Sequence, residues 1–211
     1  MLGVLGEKYT TGPKIRSLKK KFTVKGFLDD SPGQLAGFEI EVGILGGIHS
    51  KKNIYSIKKQ DRFLLAIGSV ENKKKAISSL KKRGAQFLTL IHPTAIIAET
   101  AKIGEGVIIC PFVTVTDNVI IEDFAMLNFY ASCGHDSKVG KYSILSPYAT
   151  LNGFAVLENE VFMGTHSTVT ANVKIGKGVK ISANSVAMRD APPHTFVYGV
   201  PGKNITIFAK V

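Results

Sequence analysis

One short segment of this chain carries groups that could move a proton. In Cys133-Gly-His-Asp-Ser-Lys138, His135 is followed directly by Asp136. A neutral imidazole titrates near neutrality and can take a proton from an amine or a hydroxyl as that group attacks a carbonyl. A neighbouring carboxylate can hold its tautomer and stabilise the imidazolium. A surface histidine at a turn would have the same spacing, so what surrounds the pair has to decide. The chain has five histidines, and none shares a Cys or His partner at ligand spacing, so no metal site is expected.

The surroundings follow from a repeat. From Ile91 to Val186 the chain reads as sixteen consecutive six-residue units without an insertion. Fourteen of the sixteen first residues are Ile, Val or Leu, the exceptions being Cys133 and Met163, and every fifth residue is Ala, Val or Ser. Neither the helical period nor strand alternation explains a period of six. A triangular coil does: each unit supplies one flat side and one corner, the first residue points inward, and the fifth must be small where the interior narrows. Three units make a turn, so residues eighteen apart stack, and a parallel β-helix is expected. His135 and Asp136 are third and fourth in their unit, near a corner. Gly153 stands one turn along from His135 and leaves room for a ligand beside the base.

The repeat leaves residues 1–90 for a domain of their own. There strands and helices alternate: strands over 2–5, 23–28, 63–67 and 86–90, and helices over 13–21 and 71–83, the second with Ala76, Ile77 and Leu80 on one face and Gly84 as its stop. This predicts a small parallel, Rossmann-like α/β sheet with ligands at the carboxyl ends of its strands. Asp29 and Asp30 end the second strand, where a carboxylate can hold a ribose or a base; Asp-Asp-Ser-Pro-Gly is equally good turn chemistry.

Composition narrows the function class. The formal net charge is +11, concentrated in lysine runs that read as solvated faces or as attraction for phosphate-bearing small molecules. The runs lack the aromatic interleaving of a nucleic-acid surface, so no nucleic acid is expected. No stretch reaches membrane-span length and the apolar start is too short for a signal peptide, so a cytoplasmic protein without a membrane partner is expected. Two cysteines make no disulfide framework, and Cys110 and Cys133 are expected to stay reduced and apart.

Taken together, Gly-Phe-Leu-Asp-Asp30, Ala-Ile-Gly68, Ile91-His-Pro-Thr-Ala, Gly-His-Asp136 with Val-Gly140, Pro147 and Asn-Gly153, and Tyr-Gly-Val-Pro-Gly-Lys203 resemble the NeuD/PglD-type sugar acetyltransferases. The resemblance covers nearly all the chain from residue 24 onward. It implies a nucleotide-sugar-binding domain over 1–90, a left-handed β-helix acyltransferase domain with a tail over 91–211, a homotrimer, and acetyl transfer from acetyl-CoA in a cleft between subunits. By position it implies His135 as general base and Asp136 as its orienting acid. Gly153, Thr165 and Ala183 fall along the acetyl-CoA path, Lys203 could meet a CoA phosphate, and Asp29 or Asp30 falls where the nucleotide is held. The chain departs from the family in two places. Gly6-Glu-Lys-Tyr-Thr-Thr-Gly12 replaces a glycine-rich loop with Gly-Gly-His, and Ile144 stands where a second histidine often follows the base. N-acetylation of a nucleotide-linked amino sugar is the leading expectation. O-acetylation of a sialic-acid-like sugar and a non-catalytic scaffold are the alternatives.

Overall fold

The computed structural model describes residues 2–7, 22–31, 39, 42–49 and 54–206. The chain divides into two compact units, Met1–Leu90 and Ile91–Val211.

In the first unit four strands, β1 (Leu2–Glu7), β2 (Phe22–Leu28), β3 (Ile44–Gly46) and β4 (Arg62–Leu65), form a sheet in the order β3-β2-β1-β4. The expected parallel sheet is realised only in part. β2 and β3 run parallel, whereas β1 is antiparallel to both β2 and β4, so the sheet is mixed. Strand-helix alternation dictates direction only across the helix it contains. Here that helix is α1 (Val70–Lys82), which returns the chain to a parallel bridge between Phe63 and Phe87. The short strand β3 was not expected, and the helix expected over 13–21, like the loop 8–12, lies outside the described residues.

α1 forms as its sequence dictates. Ser69 caps it by accepting from the Asn72 amide at 3.3 Å, and Gly84, at φ 81°, ends it. Lys73, Ala76, Ile77 and Leu80 share its buried face at the i, i+3, i+4, i+7 spacing. The run Lys73–Lys75 is thus not wholly solvated: burial pushes the Lys73 ammonium down to about 8. Asp61 is buried in the same unit. Burial would raise its carboxyl, but hydrogen bonds from Lys25, the Lys58 amide and Tyr55 outweigh that and hold it below the usual range.

The second unit is a three-sided parallel β-solenoid. Among its described residues each six-residue repeat supplies a two-residue strand, and each strand pairs in parallel with the one eighteen residues on, as in Ser132↔Thr150 and Cys133↔Leu151. Face I stacks strands from Ile96–Ile97 to Val186–Ala187, face II from Lys102–Ile103 to Lys174–Ile175, and face III from Leu90–Ile91 to Lys180–Ile181. Thr195–Tyr198 extends face III in parallel, and Lys203–Thr206 folds back on it antiparallel. The first residues of the units, such as Leu127, Leu145, Leu151 and Leu157, fill one continuous core with the small fifth residues Ala131, Ala149 and Ala155. Each buried Leu or Ile contributes roughly 1.5–3 kcal/mol, three per turn, and the periodicity carries the stability with it.

The corners hold a feature that the first-and-fifth pattern does not announce. From Gly106 to Asn184 the fourth residue of every unit is left-handed, with φ between 53° and 69°. Asn, Asp and Gly accept this conformation most readily, and the first two stand at 118, 136, 172 and 184. Two fifth-position serines, Ser137 and Ser167, carry buried hydroxyls without a hydrogen-bond partner.

Candidate functional site

His135 and Asp136 lie at the corner where the chain passes from face I to face II. The left-handed backbone at Asp136 (φ 57°) turns its side chain back along the corner, and its amide donates to the Asp117 carbonyl on the preceding coil at 2.9 Å. The carboxylate meets the imidazole there: His135 Nδ1 and Asp136 Oδ2 are 3.0 Å apart. Hydrogen bonds from His135 first, and then from Asn118, hold the Asp136 carboxyl below the usual carboxylate range. An ionised carboxylate can only accept, so Nδ1 carries the proton and Nε2 keeps its lone pair in the neutral ring. The His135 side chain is 59% exposed, which leaves Nε2 within reach of a ligand.

The next coil shapes the space beside that nitrogen. A Cβ at Gly153 would lie 2.8 Å from His135 Nε2 and 2.9 Å from Cε1, so only glycine fits against the ring as it stands. Phe154 follows, its amide bonded to the His135 carbonyl at 2.9 Å and its ring perpendicular to the imidazole at 5.1 Å. The site is thus a proton acceptor with a fixed tautomer, a bare backbone on one side and an exposed aromatic ring beside it. Such a group can deprotonate a nucleophile attacking a carbonyl.

The structure brings His135, Asp136 and Gly153 together, and within the second unit the other expected residues stand elsewhere. Thr165 and Ala183 stack one coil apart on a different corner, between faces III and I, where the Thr165 carbonyl accepts from the Asn184 amide at 2.9 Å. Lys203 is exposed on the terminal hairpin, paired with Tyr198. Asp29 and Asp30 belong to the first unit. Asp29 accepts from the Ser31 amide at 2.8 Å, the turn chemistry its sequence allows, and Asp30 accepts from the amides of Ile48 and His49 at 2.9 and 3.0 Å. Ile144 is buried in face III, 2% exposed, between Met126 and Phe162. His166 stacks on Tyr148 at 4.6 Å.

Two residues at the site were not read from the sequence, Asn118 and Phe154. Both stand eighteen residues from Asp136, before and after it, so the register that placed Gly153 would have placed them too. A cavity of about 480 Å3 lies over face II, lined among others by Lys138, Lys141, Lys174 and Lys177. Each of these lysines pairs with a carboxylate, of Glu122, Asp123, Glu158 and Glu160 in turn. Cys133 is buried in the core, its thiol pushed up to about 12 by burial, and both cysteines are free. Among the described residues no group of three His, Cys, Asp or Glu side chains could hold a metal, and no helix is long and apolar enough to cross a membrane.

No protein-family model matches the chain. Over 74 residues it is 32% identical to the GDP-perosamine N-acetyltransferase of Escherichia coli O157:H7, a stretch covering 35% of this chain and 34% of that protein. The chain thus spans about a third of the length of this curated relative. Structural likeness extends further. The crystal structure of PerB from Caulobacter crescentus, in complex with CoA and GDP-perosamine, superposes with a TM-score of 0.75 at 25% identity, over 88% of this chain and 86% of PerB. The acetyltransferase domain of PglB from Neisseria gonorrhoeae FA1090 gives a TM-score of 0.75 at 25% identity, over 85% and 86%. The chain is similar to sugar acetyltransferases of the hexapeptide-repeat type. The resemblance carried by its motifs is borne out.

Proposed function

We propose that this protein is an acetyl-CoA-dependent N-acetyltransferase acting on the amino group of a nucleotide-linked sugar, with His135 as general base. The observation that carries this is the corner at His135, where Asp136 fixes the tautomer and Gly153 keeps Nε2 open. The likeness to PerB, which holds CoA and GDP-perosamine, supports the choice of substrates. His135 Nε2 takes the proton of the attacking amine as its nitrogen bonds to the acetyl carbon. Asp136 stabilises the imidazolium, which returns the proton to the departing thiolate as the carbon–sulfur bond breaks. Backbone amides on the Gly153 coil stabilise the oxyanion.

The assembly we infer is a homotrimer of left-handed solenoids. Thr165 and Ala183 stand on a different corner from His135, so they serve the same acetyl-CoA only if a neighbouring subunit brings that corner to the base. Lys203 meets a CoA phosphate. The first unit, Met1–Leu90, holds the nucleotide in Rossmann-like fashion at the end of β2, beside Asp29 and Asp30. The second unit carries the transfer, and the protein works in the cytoplasm, where acetyl-CoA is made.

The test is CoA release from acetyl-CoA with GDP-perosamine, beside a sugar that offers hydroxyls only. The amino sugar should be acetylated and the hydroxyl sugar should not; the reverse preference would favour O-acetylation. His135→Ala should keep acetyl-CoA binding, read as a saturable rise in Tm, and lose roughly two to four orders of magnitude in turnover. Asp136→Asn should cost less. Near-wild-type turnover in His135→Ala would remove the mechanism, and no saturable Tm shift in the wild type would leave a scaffold.

A further inference from the structure

Asp136 has two carboxylate oxygens, and only one of them faces the base. Oδ2 meets His135 Nδ1, and Oδ1 accepts from the side-chain amide of Asn118 at 3.1 Å. Asn118 occupies the same slot one coil earlier, left-handed at φ 58°, and its own amide nitrogen donates to Thr100 Oγ1 at 2.9 Å on the coil before that. Thr100 Oγ1 in turn donates to Asp117 Oδ1 at 3.3 Å. The base therefore stands at the end of a column of hydrogen bonds running up one corner through three coils.

We propose that Asn118 is a positioning residue for the acyl transfer: its side-chain amide fixes the plane of the Asp136 carboxylate, and through it the tautomer and bearing of His135. The inference rests on His135 being the base. A carboxylate on a single bond to Cβ has a broad, two-fold torsional preference and does not hold a bearing by itself. Pinning the far oxygen removes that freedom. An amide does this without adding charge, which matters because the corner is already anionic. Asp117 lies on the coil before His135, Asp136 beside it, and Gly153 and Phe154 on the coil after it carry no charge. Lys138 is paired with Glu122 at 2.8 Å. Asparagine is also one of the residues that adopt the left-handed backbone of this slot most readily.

Two variants separate the side chain from the backbone. Asn118→Gly keeps the left-handed conformation and deletes the amide; Asn118→Asp keeps the shape and adds a negative charge within reach of Asp136. Turnover of acetyl-CoA with GDP-perosamine is followed against pH, and the His135 ring is titrated by NMR without substrate. In Asn118→Gly, kcat should fall on the order of tenfold, less than the loss of the base itself, with both KM values within about twofold of wild type. In Asn118→Asp, the acid limb of kcat/KM and the His135 titration should both move to higher pH, because an added anion stabilises the imidazolium. A wild-type kcat in Asn118→Gly, or an unmoved titration in Asn118→Asp, overturns the inference while an inactive His135→Ala leaves the general base standing. Turnover surviving in His135→Ala removes both.

Discussion

Replacing Gly153 by alanine tests the geometry of the proposed base with a single carbon. The backbone accepts the change, because φ at Gly153 lies outside the left-handed region. The new Cβ would meet His135 Nε2 at 2.8 Å, Cε1 at 2.9 Å and Cδ2 at 3.3 Å. Carbon needs roughly 3.5–4.0 Å from such neighbours, so the ring must retreat by about an ångström. It can do so easily, being largely exposed, but only by giving up its 3.0 Å contact with Asp136. Fold stability should therefore change by no more than about 1 kcal/mol, while displacing the proposed base by about 1 Å should cost roughly 10²-fold in kcat. Gly134→Ala is the control. Its Cβ would meet backbone, Gly153 N at 2.7 Å and the Asn152 carbonyl carbon at 2.9 Å, and backbone cannot swing into solvent. That variant should lose about 1–3 kcal/mol of stability. Steady-state CoA release beside urea unfolding of both proteins reads the difference. A folded Gly153→Ala protein with wild-type kcat would show that the ring position has no bearing on turnover.

Further outcomes follow from buried polar groups and from the assembly. Ser137→Ala and Ser167→Ala each remove an unpartnered buried hydroxyl and should raise stability in urea by about 1 kcal/mol. Ser143→Ala should lower it by about as much, since Ser143 Oγ donates to the Glu158 carbonyl and accepts from the Val161 amide, both at 3.1 Å; the same sign for all three serines would refute the assignment. Lys73, 1% exposed and lowered from 10.5 to about 8, disfavours folding while charged, by up to about 3 kcal/mol at neutral pH. A group whose folded pKa is depressed loses its contribution as pH falls through the folded value, so the stability of wild type relative to Lys73→Met should rise as pH climbs from 8 to 10.5; a difference that does not change over that range would refute this. Sedimentation should give a trimer, and a stable, active monomer would contradict the proposed site between subunits.

The solenoid was legible because its constraint is repeated and one-dimensional. A large apolar residue at position one and a small one at position five recur at every coil, and the eighteen-residue register follows from them. The first unit was legible by element but not by direction. β4, α1 and the return at Phe87 follow from the strand-helix pattern, while β1 lies antiparallel between β2 and β4, an arrangement no local period encodes. β3 is three residues long and bordered by glycines, too short for alternation to show. At the site, the adjacency of His135 and Asp136 named the pair, but their contact depends on the left-handed backbone at Asp136. That conformation is not legible because Phe and Tyr occupy the same slot at 112, 124, 130, 142, 148 and 154 and do not signal a turn. Burial of Lys73 is not legible in a lysine run, which suggests water, whereas helical spacing places one of the three inside.

Why one corner histidine has the makings of a base and another does not is settled eighteen residues away from each. His166 and His135 sit in the same repeat, in the fourth and third slots of their units. At the corner of His166 the fourth residues Phe112, Tyr130, Tyr148 and His166 stack ring on ring at 5.0, 4.9 and 4.6 Å, nearly parallel. Each ring occupies the room beside the next, and the imidazole ends the stack as one more flat group. At the corner of His135 the column is broken on purpose-built terms: Asn118 and Asp136 supply a donor and a carboxylate in place of rings, and Gly153 supplies nothing at all. The imidazole there gains a partner for Nδ1 from one side and open space for Nε2 on the other. Neither follows from the histidine or its unit alone. On this coil the smallest piece of sequence that can specify such a corner is three consecutive turns read down it, here Asn118, His135 with Asp136, and Gly153.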